Sequence, residues 1–314
     1  MNQLNTTKRS QIIAALVEGN SINATCRMLG VGKHTVLRLL EDAGCACAAY
    51  HDAMVRGLEV KRVQADEIWA FVLGKDKNLR LEQVQAGFGS VWTWTAIDAD
   101  SKLIVSYMIG DRGADTAQAF MQDVASRISN RVQITTDGHR VYAEAVENAF
   151  GSEIDYAMLV KVYAELEGEK RYSPAICDGC IKKPQIGSPD EKHISTSYIE
   201  RQNLTLRMQQ RRFTRLTNGF SKKFEHHVAA IALYAMHYNF CRVHETLHIT
   251  PAMQLGVTDH IWSIGELIDA ALDGEIPSGT GPEFPKNLNP SDTVQSVRNR
   301  KPFSVIQGGK GTDL

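Results

Sequence analysis

Three acidic residues stand in segments that can bring carboxylates together at one edge of a sheet. Asp66 lies in the strand-like run VQADEIWAFV, Asp137 ends the run RVQITTDG, and Glu200 lies near the start of a long helix that begins at about Ser197. Two Mg²⁺ ions about 3.5–4 Å apart, held by such carboxylates, can align the attacking and leaving oxygens of a phosphodiester. The pattern therefore predicts a catalytic metal site at these three acids.

Each acid also fits an ordinary structural role, so alternatives stay open. Asp137 precedes a glycine in a common turn dipeptide. Asp66 can be a solvated residue of an edge strand, in which case its neighbour Glu67 is the alternative ligand. Glu200 can complete a capping box with Ser197. The order and placement of all three acids favour the catalytic interpretation over these separate ones.

The elements that must position the acids alternate along the chain from Val63. Three strand-like runs, VQADEIWAFV, SVWTWTAID and KLIVSYMIG, precede a helix that Asp115 is expected to cap. A strand ending at Asp137, a helix and the strand EIDYAMLVKVYAE follow. This order predicts an α/β fold, a mixed sheet flanked by helices. Trp69, Trp92 and Trp94 are interpreted as aromatics that pack the strands.

The N-terminal segment has the spacing of a helix-turn-helix. Apolar periodicity predicts three short helices within residues 7–42, and Gly30 lies in the tight turn between the second and third. Cys26 and Val36 fit the positions where these helices approach. The third helix, expected over about residues 33–40, would expose four residues that can reach DNA phosphates and base edges: Lys33, His34, Thr35 and Arg38.

A second DNA-binding surface is predicted along the helix that carries Glu200. Asn203 and Arg207 lie three and seven residues further on, so they share a helix face with that acid. Between residues 201 and 223 there are seven basic residues and no acidic ones: Arg201, Arg207, Arg211, Arg212, Arg215, Lys222 and Lys223. Such a stretch suits a polyanion. Asn203, Arg207, Arg211 and Arg212 are therefore candidate DNA contacts.

The remaining patterns complete a predicted domain organisation. Residues 1–45 form the helix-turn-helix domain, 46–62 a linker, and 63–262 the catalytic domain, in which the polar stretch 165–193 is an insertion or mobile loop. Residues 263–314 are expected to hold a C-terminal helix and a largely disordered tail.

Net charge, hydropathy and cysteine content limit the classes of protein to which this chain can belong. The net charge is −1, so DNA binding cannot be inferred from the total. No apolar run of membrane-spanning length and no N-terminal signal are seen, which predicts a cytoplasmic protein. Six cysteines in 314 residues are expected to be reduced thiols. Cys177 and Cys180 have ligand spacing, with His193 as a conceivable third ligand, but one such pair is weak evidence for zinc.

Four motifs in order resemble the transposases of the bacterial insertion sequence one family. They are DEIW from Asp66, the TWTAID strand, TDGH from Asp137 and IERQNLTLR from Ile199, and the later segment FCRVHETLHITPAM is similar as well. The resemblance spans roughly residues 65–257. It implies a ribonuclease-H-like fold of the retroviral-integrase-like superfamily, with an Asp-Asp-Glu site at Asp66, Asp137 and Glu200. It also implies that Asn203 and Arg207 are the polar and basic positions that follow the glutamate.

Residues and resemblance together predict a DNA transposase that uses Mg²⁺ or Mn²⁺, with two ions per site. The helix-turn-helix would bind terminal inverted repeats. The site would cut the 3′ ends and join them to target DNA by transesterification, within a homodimer or larger synaptic complex at the bacterial nucleoid. Two alternatives remain, a non-catalytic DNA-binding regulator (or inactive transposase derivative) and a metal nuclease that cuts without joining.

Overall fold

A six-stranded mixed sheet forms the centre of the molecule, in a computed structural model that describes residues 4–163, 177–214 and 217–273. The strands are β1 (Arg62–Val72), β2 (Gly89–Asp98), β3 (Ile104–Gly110), β4 (Val132–Asp137), β5 (Ile154–Tyr163) and β6 (Cys177–Ile186), in the spatial order β3-β2-β1-β4-β5-β6. The β1–β4 and β4–β5 pairs are parallel and the other three are antiparallel. The predicted mixed sheet is therefore present, in an arrangement compatible with a ribonuclease-H-like fold.

Helices cover both faces of this sheet. They are α1 (Thr6–Val17), α2 (Ile22–Leu29), α3 (Lys33–Met54), α4 (Leu81–Gln85), α5 (Ala114–Arg127), α6 (Val141–Phe150), α7 (Ser197–Gln209), α8 (Phe224–Met236), α9 (Pro251–Gln254) and α10 (Ile264–Ile268). None of the helices in the described ranges is long and apolar enough to cross a membrane.

The alternation of β1 assigns its two faces to different cores. Val63 and Ala65 belong to a hydrophobic cluster that includes residues of α5 and α6. Ile68, Ala70 and Val72 belong to a second cluster that includes residues of α7 and α8. Successive strand residues point to opposite faces, so Asp66 lies on the α7 side and Glu67 on the α6 side.

Strand β6 corrects the prediction for residues 165–193. Where an insertion or mobile loop was expected, Cys177–Ile186 pairs antiparallel with β5 at the sheet edge. Nine of its ten residues are exposed, so the strand has no buried apolar face and no alternation to reveal it. Its order comes from backbone pairing with β5. Residues 165–176 of the predicted insertion lie outside the described ranges.

The three N-terminal helices form where the spacing predicts them, but α3 is longer than expected. Gly30 follows α2 in the left-handed conformation, with a φ of 62°. Helix α3 runs on to Met54 because its inward face stays apolar, with Ala43, Cys47 and Tyr50 buried. The segment predicted as a linker from residue 46 therefore begins as helix. Whether these helices act as a separate domain stays a prediction.

Helix α3 crosses α8 at very close range. A Cβ placed on Gly44 would lie 2.5 Å from the Cα and the carbonyl oxygen of Ala229, so only glycine fits there. The N-terminal helices share one buried cluster with the sheet, since Ile12 and Leu40 belong to the same cluster as Ile134 of β4.

Helix α5 begins differently from the predicted cap. Its N-cap residue is Gly113, and Asp115 lies inside the first turn. The Asp111 carboxylate instead accepts hydrogen bonds from the Gly113 N–H at 2.9 Å and the Thr116 hydroxyl at 2.6 Å. The C-terminal helix is α10, and the predicted disordered tail beyond residue 273 lies outside the described ranges.

Candidate metal centre

Asp66 and Asp137 are neighbours because of the parallel register of β1 and β4. The last paired residues of the two strands are Ala65 and Thr136. The next residue on each strand is an aspartate, so both carboxylates stand where the strands separate. Carboxyl ends of parallel strands are common places for ligand sites in α/β sheets.

Glu67 completes a cluster of three carboxylates. One oxygen each of Asp66, Glu67 and Asp137 can be chosen such that all three lie within 4.8 Å of one another. Of the residues that the structure describes, this is the one group of three or more His, Cys, Asp or Glu side chains close enough to hold a metal ion. All of its donors are hard carboxylate oxygens, which suit Mg²⁺ or Mn²⁺ rather than a softer metal.

The carboxylates of this cluster destabilise one another's charge. Burial, followed by the charges of Glu67 and Asp137, raises the pKa of Asp66 to about 7. Burial and the Asp137 charge also raise the pKa of Glu67, although the bonds from Arg112 and Tyr142 act in the opposite direction. Bringing like charges together in a partly buried place is costly without a cation. A divalent cation bound here would offset this repulsion.

Glu67 is held from the α6 side of the sheet. Its side chain is buried, and Arg112 donates to Oε1 at 2.7 Å while the Tyr142 hydroxyl donates to Oε2 at 2.9 Å. A guanidinium partner already compensates its charge. Within the described ranges, the Asp66 carboxylate accepts hydrogen bonds from two neutral donors, the Glu67 N–H at 2.8 Å and the Asn203 amide at 2.9 Å. Asp66 is thus the better placed of the two adjacent acids to bind a cation.

Glu200, the third predicted ligand, lies beside the cluster but outside it. Its Oε1 pairs with the Lys161 ammonium at 2.6 Å and accepts a hydrogen bond from the Thr196 hydroxyl. Its charge still reaches the site, because it is among the causes that raise the pKa of Asp66. The structure therefore brings Asp66 and Asp137 together as predicted and leaves Glu200 paired with a lysine.

The capping alternative for Glu200 is not what starts α7. Ser197 is the first helical residue, and no side chain of the cap residue Thr196 bonds the helix N-terminus. The Gln64 side-chain oxygen accepts the Tyr198 N–H at 2.8 Å and the Ile199 N–H at 3.1 Å. A residue of β1, two positions before Asp66, thus anchors the helix beside the site.

Asn203 extends this anchoring one turn further. It is buried, and its amide donates to Asp66 as described above. The neighbouring Gln202 donates to the Tyr234 hydroxyl of α8 at 2.8 Å. Helix α7 is therefore fixed to β1 by one side and to α8 by the other. The structure gives Asn203, a predicted DNA contact, a bond to Asp66.

The predicted basic surface separates into exposed and inward-facing residues. Arg211 is exposed, Arg207 is half-buried on α7, and Arg212 is half-buried and donates to the Ser221 hydroxyl at 2.8 Å. Burial lowers the pKa of Arg212 to about 10. Arg215 lies outside the described ranges. Arg201, Lys222 and Lys223 are exposed.

The four predicted contacts on α3 are all exposed: Lys33, His34, Thr35 and Arg38. Val36, between them, is buried, as the helix-turn-helix spacing requires. Arg38 lies 3.8 Å from Asp42 one turn later. The surface is thus open to a partner.

The cysteine pair and His193 lie at different ends of the sheet. Cys177 begins β6, opposite Tyr163 at the end of β5. The His193 ring contacts Arg62, at the start of β1. His193 is therefore not a third ligand for Cys177 and Cys180, which removes the support that it gave to zinc.

The sequence did not reveal the residues that hold the carboxylates, Arg112, Tyr142 and Lys161, nor Gln64, which anchors α7. Only Gln64 had a usable signal, since alternation places it on the same strand face as Asp66. The other three come from separate elements, and nothing in their local sequence indicates a buried partner.

Comparisons with known proteins add little to this geometry. No protein-family model and no curated protein matches the chain. Among solved structures, it is similar to the cryo-EM structure of the piggyBac transposase synaptic complex with hairpin DNA. The identity is 9%, the match covers 98% of this chain and 79% of that chain, and the TM-score is 0.38. A score of this size establishes neither a fold nor a function, so the site is interpreted from its own residues.

Proposed function

We propose that this protein is a DNA transposase that cuts and joins phosphodiesters with a divalent metal. One observation carries the proposal. The parallel register of β1 and β4 sets Asp66 and Asp137 side by side, within a cluster of three carboxylates that fits a hard cation. The motif resemblance to insertion sequence one family transposases supports the finer assignment, with an Asp-Asp-Glu site and a ribonuclease-H-like fold.

Asp66 and Asp137 would hold the metal, Mg²⁺ or Mn²⁺, and Glu200 would supply the third predicted carboxylate, for two ions in all. Bound there, such ions lower the pKa of water and stabilise the attacking and leaving oxygens of a phosphodiester. The protein's own contribution is to hold the carboxylates. Asn203 fixes the Asp66 carboxylate, and Arg112 keeps Glu67 turned to the α6 side.

Glu200 needs a change of partner to serve as a ligand. Its Oε1 is bonded to Lys161, so the lysine must release it, and the freed ammonium can then pair with a DNA phosphate. Both groups are partly exposed, with side-chain exposures of 31% for Lys161 and 39% for Glu200. Exchange at that exposure is inexpensive, because exposed ion pairs contribute at most about 1 kcal/mol.

The DNA partners follow from the exposed α3 residues and the basic residues that follow Glu200. Lys33, His34, Thr35 and Arg38 would bind terminal inverted repeats, and the exposed Arg211 with the half-buried Arg207 and Arg212 would line the DNA near the cut. Joining requires that the two ends of the mobile DNA element be held together, which calls for a homodimer or larger synaptic complex. Such a protein would act at the bacterial nucleoid, in the cytoplasm.

The test uses the full chain and labelled DNA carrying the terminal repeats of the element that encodes it. We expect cutting at the 3′ ends and joining to a target in Mg²⁺, and neither in EDTA. Binding of the repeats without cutting would favour the regulator. Cutting without joining would favour the nuclease.

Glu200→Gln sharpens this test, because glutamine can still accept the Thr196 and Lys161 bonds but is a poor ligand for Mg²⁺. We expect normal folding and DNA binding with joining lost. Joining at the native rate would show that Glu200 is not part of the site.

A further inference from the structure

Beyond the metal centre, β1 continues as one half of a two-stranded ribbon. Strand β4 pairs with β1 only as far as Ala65, whereas β2 pairs with it through Val72. On the face that carries Glu67, the next two side chains are Trp69 and Phe71. Alternate strand residues are about 6.6–6.8 Å apart, so these rings form a line that begins beside Glu67, on the face of β1 opposite Asp66, and leads away from the carboxylate cluster.

A third ring extends this line. The ring centroids of Trp69 and Phe71 are 5.6 Å apart, and Phe71 lies 4.9 Å from Phe220, in the segment between α7 and α8. The backbone there joins β1, since the Leu73 N–H donates to the Ser221 carbonyl at 2.8 Å. We call Trp69, Phe71 and Phe220 the aromatic row.

The aromatic row is not part of a core. All three residues are half-buried, and none of them belongs to a hydrophobic cluster of the described residues. The opposite face of the same strand is buried against α7 and α8, so the ribbon is already stabilised without these rings. The Trp69 indole N–H donates to the Ser90 hydroxyl at 3.0 Å, which fixes the orientation of its ring.

Positive charges border the aromatic row. The Lys75 ammonium lies 6.0 Å from the ring centroids of both Trp69 and Phe71. Lys222 and Lys223, just after Phe220, are exposed. One acid lies nearby, Asp76, whose carboxylate accepts hydrogen bonds from the N–H and the hydroxyl of Ser90.

We propose that the aromatic row binds unpaired nucleotides at a DNA end. The bases would stack on the rings, and the phosphates would pair with Lys75, Lys222 and Lys223. This inference rests on the proposed function, because the row begins beside Glu67 of the carboxylate cluster that would process the end. A ligand for this surface needs flat apolar faces and negative charges together, which nucleotides provide. Paired bases are covered by their neighbours in the duplex, so only unpaired ones can stack here.

The first test changes the DNA and leaves the protein native. Binding of the full chain is measured by fluorescence anisotropy in EDTA, where no cutting occurs. The probes are a duplex with a short unpaired oligothymidine end, the same duplex with that end abasic, and a blunt duplex with an equal number of phosphates. We expect the oligothymidine end to bind at least about fivefold more tightly than the abasic one, as a single stacked base provides. Equal binding of both ends overturns the proposal.

The second test changes the protein. Trp69→Leu with Phe71→Leu keeps apolar bulk and removes the rings. We expect about fivefold or greater weakening for the oligothymidine end and no change for the blunt duplex. Phe150→Leu, a half-buried aromatic at the far end of α6, is the matched control and should change neither. Equal weakening for all probes would show a general effect and overturn the proposal.

The two proposals fail in different assays. Stacking is measured in EDTA and needs no chemistry, whereas the transposase assignment is tested by Mg²⁺-dependent cutting and joining of native protein. Preference for oligothymidine ends without any cutting would contradict the transposase assignment and leave the stacking proposal intact. Cutting and joining without that preference would contradict only the proposal that bases stack on the aromatic row.

Discussion

The Asn203 side-chain amide donates a 2.9 Å hydrogen bond to the Asp66 carboxylate and so joins α7 to β1 at the carboxylate cluster. The bond leaves the other end of the amide poorly placed, since the buried Asn203 Oδ1 has no hydrogen-bond partner within the described ranges. Unpaired buried polar atoms are uncommon and often mark functional sites.

Asn203→Leu removes this donor with little change in volume. We expect DNA joining to fall by about 10–100-fold, as for other residues that orient metal ligands, and the Mg²⁺ concentration for half-maximal rate to rise. Asn148→Leu, which removes an exposed amide of α6 bonded to Gln118, should have no effect. An unchanged Mg²⁺ requirement in Asn203→Leu would show that the bond does not position Asp66.

Lys161→Met removes the positive charge that pairs with Glu200. Because the ammonium repels a cation and occupies a potential ligand, we expect Mg²⁺ to bind roughly fivefold more tightly in the absence of DNA, as about 1 kcal/mol of charge repulsion is lost. Binding is measured from the Mg²⁺ dependence of the melting temperature. Lys182→Met, an exposed lysine of β6 that bonds the Glu191 carbonyl, is the control. If both variants bind Mg²⁺ alike, Glu200 and Lys161 lie outside the metal site.

Gly44→Ala tests the crossing of α3 and α8. Alanine is the better helix former by about 1 kcal/mol, but its Cβ would meet the Ala229 backbone at 2.5 Å. We expect a net destabilisation of about 1–3 kcal/mol, measured by urea unfolding. Gly179→Ala in β6, where a Cβ meets nothing within 4 Å, should be neutral or slightly stabilising. Equal stability of the two variants would contradict the close crossing.

Because His227 is buried, we expect the folded protein to lose stability in acid. Burial, and then the Arg212 charge, lower the pKa of His227 to about 3, whereas the unfolded chain titrates near 6.5. Unfolding therefore takes up a proton at this site between pH 6.5 and about 3, and stability falls as the pH falls through that range. From pH 7 to pH 5 the loss is about 2 kcal/mol from this one histidine.

His227→Leu should reduce the loss of unfolding free energy between pH 7 and pH 5 by about 2 kcal/mol, whatever its effect on stability at pH 7. His260→Leu is the control with the opposite sign, because Asp259 and Glu266 raise the pKa of His260 and its charge stabilises the fold at low pH. Urea unfolding at several pH values measures both slopes. A His227→Leu slope equal to the native one would mean that His227 is not buried in its neutral form.

The sequence predicted what depends on local periodicity, and missed what depends on distant partners. The placement of Asp66 and Asp137 in the β1 and β4 patterns was enough to predict that they meet at one edge of the sheet, and the parallel register of the two strands is the structural reason. Strand β6 has no apolar face, so only pairing with β5 defines it. The pairing of Glu200 with Lys161 joins residues 39 positions apart, and the length of α3 depends on its contact with α8. Neither contact leaves a local signal.

Metal-dependent joining of DNA by Asp137→Asn is the most direct test of the account. Asparagine keeps the size and the turn of Asp137, whose Oδ1 accepts the His139 N–H at 2.9 Å, but removes the charge. Asp155→Asn, a surface aspartate paired with Arg131, is the matched control. We predict that Asp137→Asn folds and binds DNA normally while joining in Mg²⁺ falls at least about a hundredfold, and that Asp155→Asn joins like the native protein. Joining by Asp137→Asn at the native rate would contradict the central claim.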